Sequence, residues 1–268
     1  MMLLSPFIAL FQAVFLVLWL VFWITVSGLA ALLTLNGEVP LMMARRFWAP
    51  MHWRITGSPL LVEPLPDVDW SKPHIFLMNH QSNFDIPVAF AVIPVNIRFI
   101  AKHVLKWIPF LGWYMTMTGM IFINRSNRRE AMRGLKLAGE RIRAGSNILA
   151  FPEGTRSKDG RILPFKTGSF VLAVEAGVPI IPMAVEGTIR MLPPGSIQLR
   201  RSPIRVKLGQ PIATTGLKGK EREALMHQVR DVIIQLHRDI GGAGGVPEDA
   251  ATGPGKNLDL AGRSENPA

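Results

Sequence analysis

The first 37 residues of the chain contain no charged side chain, and this stretch limits the possible folds more than any other feature of the sequence. The run from Phe7 to Leu35 is rich in Leu, Val, Phe and Trp. A helix rises about 1.5 Å per residue and the hydrocarbon core of a bilayer is about 30 Å thick, so about twenty such residues suffice to cross it. The segment therefore predicts a membrane element.

A second stretch, from Leu41 to Ile55, mixes aromatic residues with arginines. It carries Trp48 and Trp53 close to Arg45 and Arg54, a mixture typical of a helix that lies at a membrane interface. Two arrangements are open: one tilted span, or a bent pair of helices that dips into one leaflet.

A cleaved signal peptide is the competing interpretation, with small residues from Ser27 to Ala30 for the cleavage site. A signal peptide has a basic leading region and a short apolar core, whereas the first basic residue here is Arg45 and the apolar run is longer, so we disfavour it. The basic residues after the apolar run predict an inner (cytoplasmic) membrane protein whose remaining chain lies on the cytoplasmic side.

The composition of the chain indicates which partners and which reactive groups are possible. The chain has 30 Lys and Arg against 19 Asp and Glu, and the formal net charge of +11 favours anionic partners such as phosphate groups, acidic lipid headgroups or nucleic acid. The absence of cysteine excludes disulfides, thiolate metal sites and cysteine nucleophiles.

After Gly57, short apolar runs alternate with helical stretches, which predicts an α/β domain. We expect a membrane element at 1–57, the α/β domain at 58–240, and a disordered tail at 241–268, where Gly, Ala, Pro and Asn leave little to bury. The predicted strands are 74–78, 97–101, 120–123, 148–151, 180–185, 197–199 and 204–208, and the predicted helices are 86–93, 128–144 and 220–240.

The segment from Asn79 to Asp85 joins a predicted strand to a predicted helix, which is where α/β proteins commonly carry reactive groups. Histidine has an ordinary pKa suited to proton transfer near neutral pH, and a nearby carboxylate can fix its tautomer and stabilise the cation that forms. Across a tight loop, His80 and Asp85 can face one point as a general base and its partner. The same spacing also arises by chance, and a lone His is more often a surface or core residue.

Three strand ends carry cations. Arg156 follows one strand, beside Gly154, which lets backbone amides approach a ligand, and its guanidinium can hold two phosphate oxygens. Lys102 and Arg125 follow strands of their own. Together they predict a phosphate site at one edge of the sheet, and the alternative is a turn with a solvated arginine.

Four blocks of the sequence, 80–85, 119–125, 151–157 and 178–182, carry a family resemblance through their order and spacing. In these blocks the chain resembles the PlsC-type glycerolipid acyltransferases, whose best-known members are lysophosphatidate acyltransferases. The resemblance covers roughly residues 60 to 208 and includes the apolar N-terminal element. It implies a mixed, largely parallel sheet flanked by helices. It also implies transfer of a fatty acyl group from acyl-CoA or acyl-ACP to the sn-2 hydroxyl of lysophosphatidate.

The resemblance also implies roles for single residues. His80 acts as general base with Asp85 as its partner, and residues 178–182 shape the acyl side of the pocket or support the fold. Members commonly carry Asp where this chain has Asn124, so a carboxylate that would orient the neighbouring arginine is missing. The implied acceptor-binding residues are Lys102, Arg125, Glu153, Gly154, Thr155 and Arg156.

We expect no cofactor and no metal, because the six histidines form no His-Glu-x-x-His pattern and no Gly-rich phosphate loop is present. The expected partners are membrane lipid, a lysophospholipid acceptor, and acyl-CoA or acyl carrier protein as co-substrate. No nucleic acid is expected, since no nucleic-acid-binding motif occurs.

Two alternatives remain at this point. The same chemistry can act on another acceptor, such as glycerol phosphate, a lyso-cardiolipin or a lyso-aminolipid. A non-catalytic membrane protein that binds lipid would use the same cations, and in it His80 would be dispensable.

Overall fold

The computed structural model describes residues 5–124, 126–217 and 221–246. Helix α1 runs from Ser5 to Thr34, and its part from Phe7 to Thr34 is long and apolar enough to cross a membrane. Only 11% of its most apolar window is buried, so the helix exposes an apolar surface along its length.

The chain turns back after α1 and continues as a second helical stretch. The Asn36 side chain accepts a hydrogen bond from the backbone N–H of Glu38 (2.9 Å), where this stretch begins. Its middle packs against α1, since the Trp19 indole donates to the carbonyl of Trp48 (3.1 Å). The two stretches therefore form a packed helical pair, and the choice between a tilted span and a pair that dips into one leaflet stays a prediction. The stretch consists of α2 (Glu38–Met43), a π-helical turn (Ala44–Trp48) and α3 (Met51–Arg54).

Within the described residues, seven strands form one sheet in the order β1-β7-β6-β2-β5-β3-β4. Every neighbouring pair is parallel except β6 and β7, which are antiparallel. The prediction of a mixed, largely parallel sheet flanked by helices is therefore confirmed. The strands are β1 (Leu60–Val62), β2 (Ile75–Met78), β3 (Ile97–Lys102), β4 (Ile121–Ile123), β5 (Asn147–Ala150), β6 (Ile180–Glu186) and β7 (Ile204–Leu208).

Two features of the sheet differ from the prediction. Residues 197–199 form no strand, and Ile197 is exposed rather than paired. Strand β1 was not predicted, because it is three residues long and Leu61 and Val62 are exposed at the sheet edge.

The three helices with predicted bounds, α4 (Asp85–Val92), α6 (Arg128–Arg143) and α9 (Glu221–Asp239), begin and end within one residue of the predicted positions, and no bounds were predicted for the other helices. The Asn127 side chain caps α6 by accepting from the N–H of Glu130 (3.2 Å). The predicted first residue of the last helix, Lys220, lies outside the described residues. The helices are α4 (Asp85–Val92), a 3-10 helix (His103–Trp107), α5 (Leu111–Met117), α6 (Arg128–Arg143), α7 (Gly168–Ala176), α8 (Thr188–Met191) and α9 (Glu221–Asp239).

Two hydrophobic cores cover the two faces of the sheet. Strand β2 is fully buried, and because successive side chains alternate, Phe76 and Met78 join one core while Ile75 and Leu77 join the other. The first core also contains residues of α1, α2, α4 and α5, and the second contains residues of α6, α7 and α9. The membrane element therefore packs on one face only.

Residues 241–246 continue the domain instead of beginning the predicted disordered tail. The N–H of Val246 donates to the carbonyl of Ile162 (3.0 Å), and the N–H of Ile162 donates to the carbonyl of Gly244 (2.9 Å). Gly242 passes so close to α9 that a Cβ there would lie 2.2 Å from the His237 ring. Residues 247–268 of the predicted tail lie outside the described residues.

Candidate active site

The loop between β2 and α4 brings His80 and Asp85 together. Asn79 anchors its start, because its side chain donates to the carbonyl of Val185 (3.0 Å) and accepts from the N–H of Val185 (2.8 Å). His80 Nδ1 lies 2.7 Å from Asp85 Oδ2. A carboxylate only accepts hydrogen bonds, so Nδ1 carries the proton and Nε2 is left with the lone pair that can take a proton from a substrate.

Asp85 is completely buried and held by four hydrogen bonds. Its Oδ2 accepts from His80 and from the backbone N–H groups of Gln81 (2.6 Å) and Ser82 (2.8 Å). Its Oδ1 accepts from the hydroxyl of Thr188 on α8 (2.5 Å). The backbone and α8 therefore fix the carboxylate, and the carboxylate fixes the imidazole.

The ring of His80 lies against Phe151, at the end of β5. The ring centroids are 3.9 Å apart and the planes are 17° from parallel, so the imidazole is stacked on the aromatic ring. The N–H of Ser157 donates to the carbonyl of His80 (2.8 Å). The 151–157 block thus supports the histidine from one side and ties its backbone to the same edge of the sheet.

Glu153 lies beneath this junction and is 2% exposed. Its Oε1 accepts from the N–H of His80 (2.8 Å) and its Oε2 accepts from the N–H of Leu163 (2.9 Å). Burial raises the pKa of Glu153 to about 8, against the two backbone hydrogen bonds, which lower it. The resemblance implied acceptor contact for Glu153. The side chain joins two loops and is not among the residues that line the cavity described next, and its contact with the acceptor stays a prediction.

A cavity of about 410 Å³ opens beside the imidazole. It lies between the carboxyl edge of the sheet and the N-terminal helices, and its lining is predominantly apolar. Helix α1 contributes Leu20, Trp23 and Ile24 to its wall, and α5 contributes Tyr114 and Met115. The predicted site residues that line it are His80, Lys102, Gly154, Thr155 and Arg156.

The other predicted positions are Arg125, residues 178–182 and Asn124. Arg125 falls outside the described residues. Residues 180–182 are buried in β6 and do not line the cavity, so of the two roles expected for residues 178–182 they fit support of the fold. Asn124 donates to Glu130 Oε2 (2.8 Å), at the first turn of α6.

A second set of polar side chains lies behind the loop that carries His80 and Asp85, and it was not predicted from the sequence. The Gln81 amide donates to Glu186 Oε2 (3.1 Å), which also accepts from His237 Nε2 (2.9 Å). Arg190 Nη1 lies 2.5 Å from Glu186 Oε1. Burial raises the pKa of Glu186, but hydrogen bonds from His237 and Gln81 outweigh it and hold that pKa at about 2. A carboxylate at the end of the apolar strand β6 was the only local signal for this network.

The sequence of this chain is similar to those of known acyltransferases. Residues 60–186 match the model of the family described as Acyltransferase. The 1-acyl-sn-glycerol-3-phosphate acyltransferase of Saccharomyces cerevisiae is 36% identical over 173 residues, which cover 63% of this chain and 57% of the relative. The protein of that name from Cocos nucifera is 33% identical over 214 residues, covering 79% of this chain and 66% of the relative.

A solved structure is similar over most of the chain. The 1-acyl-sn-glycerophosphate acyltransferase PlsC of Thermotoga maritima superposes with a TM-score of 0.77 at 26% identity, covering 88% of this chain and 95% of that one. The curated relatives are longer: this chain spans 57% of the yeast protein and about half of a chloroplast relative from Brassica napus (48%).

Proposed function

This chain belongs to the acyltransferase family, and from that premise we propose that it transfers a fatty acyl group from acyl-CoA or acyl-ACP to the sn-2 hydroxyl of lysophosphatidate. The product is phosphatidate. The observation that carries the proposal is the pair formed by His80 and the buried Asp85, which opens onto an apolar cavity beside Lys102 and Arg156.

His80 acts as the general base. Its Nε2 takes the proton of the acceptor hydroxyl while that oxygen attacks the thioester carbonyl, and Asp85 stabilises the imidazolium that forms. The carbon–sulfur bond breaks, and the thiolate of the carrier leaves and takes the proton from His80. Base catalysis of this kind contributes about 10² to 10⁴ in rate, and orientation of the two substrates contributes much of the rest.

Lys102 and Arg156 hold the phosphate of the acceptor. Both line the same cavity as His80, and a guanidinium can bind two phosphate oxygens while an ammonium adds a second positive charge. Fixing the phosphate at one end positions the glycerol hydroxyl near the imidazole. The proposed reaction needs no cofactor and no metal, because the thioester is already activated and the chain itself supplies the base and the cations.

The apolar part of the cavity receives the acyl chain. Because α1 forms part of its wall, the cavity and the membrane element are continuous. The acceptor reaches the site from the bilayer, and the carrier thioester arrives from the cytoplasm. We therefore place the protein at the inner face of the cytoplasmic membrane, with the α/β domain on the cytoplasmic side.

The test is release of free thiol from acyl-CoA and from acyl-ACP by the purified protein in detergent. Lysophosphatidate is compared with monoacylglycerol, which lacks the phosphate. The informative variant is Arg156→Gln, and its matched control is Arg161→Gln, which changes an exposed arginine that does not line the cavity.

The proposal predicts thiol release that depends on lysophosphatidate, and a KM for this acceptor that rises in Arg156→Gln and not in Arg161→Gln. Equal turnover of monoacylglycerol would overturn the assigned acceptor. If no thiol is released with either acceptor or from either carrier, the result favours a lipid-binding protein without catalysis.

A further inference from the structure

A short segment after β3 exposes an unusual number of large apolar side chains. Trp107 is 78% exposed and Trp113 is 65% exposed, and four neighbours are between 39% and 44% exposed. Single exposed apolar residues are ordinary, but a contiguous patch of this kind marks an interaction surface. We call this surface the aromatic ridge and define it by Val104, Trp107, Ile108, Phe110, Trp113 and Met117.

The ridge is the outer side of a well-packed wall. The inner side of the same segment lines the cavity through Leu105, Leu111 and Met115. The Tyr114 hydroxyl donates to the carbonyl of Pro40 (3.0 Å) and so fastens the segment to the second membrane helix. A Cβ on Gly112 would lie 2.1 Å from the carbonyl oxygen of Lys106, so the turn before α5 is tightly closed. The exposed residues therefore belong to a fixed surface.

We propose that the aromatic ridge is a second membrane contact, immersed in the interfacial layer of the same leaflet that holds α1. This inference rests on the proposed membrane location. Helix α1 packs against α5, so the exposed apolar surface of α1 continues onto the ridge. A bilayer that surrounds α1 therefore reaches the ridge without any movement of the domain.

The chemistry of the segment fits anionic lipid better than a protein partner. Tryptophan concentrates at membrane interfaces, where its ring is buried and its N–H remains hydrated. Lys106 lies beside Trp107, with Nζ 6.0 Å from the ring centroid. From Ile86 to Arg129 the sequence contains no Asp or Glu, so no carboxylate of this stretch repels acidic headgroups.

Immersion of the ridge has a functional consequence. Because its inner side is the cavity wall, the ridge sets the depth of the cavity relative to the lipid headgroups. An acceptor in the leaflet then enters the cavity laterally, without leaving the membrane. Loss of the ridge is expected to impair the reaction only when the acceptor is presented in a bilayer.

The chain lacks cysteine, so single cysteines can report on lipid contact in the full-length protein. Trp113→Cys and Ile108→Cys are labelled with a nitrobenzoxadiazole dye in vesicles of phosphatidylethanolamine and phosphatidylglycerol. Leu18→Cys on α1 is the membrane reference. Leu137→Cys on α6 is the matched control, because Leu137 is 41% exposed and α6 packs on the opposite face of the sheet.

The proposal predicts that nitroxide-labelled lipid quenches the two ridge labels about as strongly as the Leu18 label, and that iodide in the water quenches them less than the Leu137 label. If lipid quenches the Leu18 label but the ridge labels behave like the Leu137 label, the ridge is not a membrane contact, and the membrane location of α1 is unaffected. Absence of lipid quenching at Leu18 and at the ridge would overturn the membrane location as well. Protection from iodide without lipid quenching would indicate a protein partner and overturn the proposal.

A kinetic comparison gives an independent check. The Trp107→Ser, Trp113→Ser double variant is compared with Met132→Ser, Leu137→Ser, which changes two exposed residues of α6. We expect the ridge variant to lose roughly tenfold in kcat/KM on vesicle-bound lysophosphatidate and to match the wild type on acceptor dissolved in detergent. An equal loss in both assays would indicate damage to the cavity and contradict the membrane role. Wild-type activity in both assays would also overturn it.

Discussion

Replacing Thr188 with valine removes one hydroxyl from the buried end of the candidate active site and leaves the shape of the side chain nearly unchanged. Thr188 is fully buried, and its hydroxyl donates to Asp85 Oδ1. Among the described residues, no other hydrogen bond to this oxygen is present, whereas Oδ2 keeps the three bonds from His80, Gln81 and Ser82.

A hydrogen bond to a charged group contributes about 1.5–3 kcal/mol. If the whole of this energy is lost in the transition state, where the imidazolium depends on Asp85, kcat falls by about 10- to 150-fold. The KM values for acceptor and carrier should change little, because Thr188 does not line the cavity.

The assay is steady-state kinetics of Thr188→Val and Thr188→Ser, together with the free energy of unfolding of each. Serine keeps the hydroxyl, so Thr188→Ser should recover most of the lost kcat. A Thr188→Val protein with wild-type kcat and reduced stability would refute the positioning role. Equal loss of kcat in the two variants would show that the methyl group, and not the hydroxyl, matters.

Three further predictions concern the neighbouring residues. Because the pKa of Glu153 is about 8 in the folded chain against an ordinary 4.5, the folded state holds a proton that the unfolded state releases. The contribution of Glu153 to the free energy of unfolding should therefore be complete below pH 4.5 and be lost as the pH rises towards 8, so in urea unfolding the stability of wild type relative to Glu153→Gln should fall over this range. Phe151→Leu removes the ring stacked on His80, worth about 0.5–1.5 kcal/mol, and should lower kcat by up to about tenfold in steady-state assays. Gly187→Ala puts a Cβ 2.0 Å from the carbonyl oxygen of Pro203 at a φ of 97°, and should cost about 1–3 kcal/mol or more in urea unfolding.

Each of these predictions has a contrary result. A difference in the free energy of unfolding between wild type and Glu153→Gln that stays constant or rises from pH 4.5 to 8 would contradict the protonated state of Glu153. Unchanged kcat in Phe151→Leu would show that the stack does not orient the imidazole. Wild-type stability in Gly187→Ala would mean that the chain before α8 can shift away from Pro203, and the packing around Thr188 would need revision.

The parts of the fold that follow from local pattern could be predicted from the sequence. The buried strands β2, β5 and β6 are apolar runs that end in polar loops, and α9 has helical periodicity, so each was found within a residue or two. The edge strand β1 has no such pattern, because only one side of it is paired. Ile197 and Leu199 alternate like a strand, but alternation does not tell whether a partner strand is available.

In the candidate site, too, some contacts could be predicted from the sequence and others could not. His80 and Asp85 lie five positions apart on one loop, so their contact is a local property and could be inferred. Thr188 and His237 meet this loop from elements more than 100 residues away, and only the folded chain brings them there. The direction of the Glu153 side chain, which joins two loops, is also a tertiary property and could not be inferred from the sequence.

The most direct test of the central claim is a single-turnover measurement of phosphatidate formation by wild type and His80→Gln, with mass spectrometry of lipid and protein. Direct transfer with His80 as general base predicts one thiol released for each phosphatidate formed, no acyl group attached to the wild-type chain, and a rate lower by about 10² to 10⁴ in His80→Gln. A His80→Gln protein that forms phosphatidate at the wild-type rate would contradict general-base catalysis by His80. An acylated protein formed before the product would contradict direct transfer.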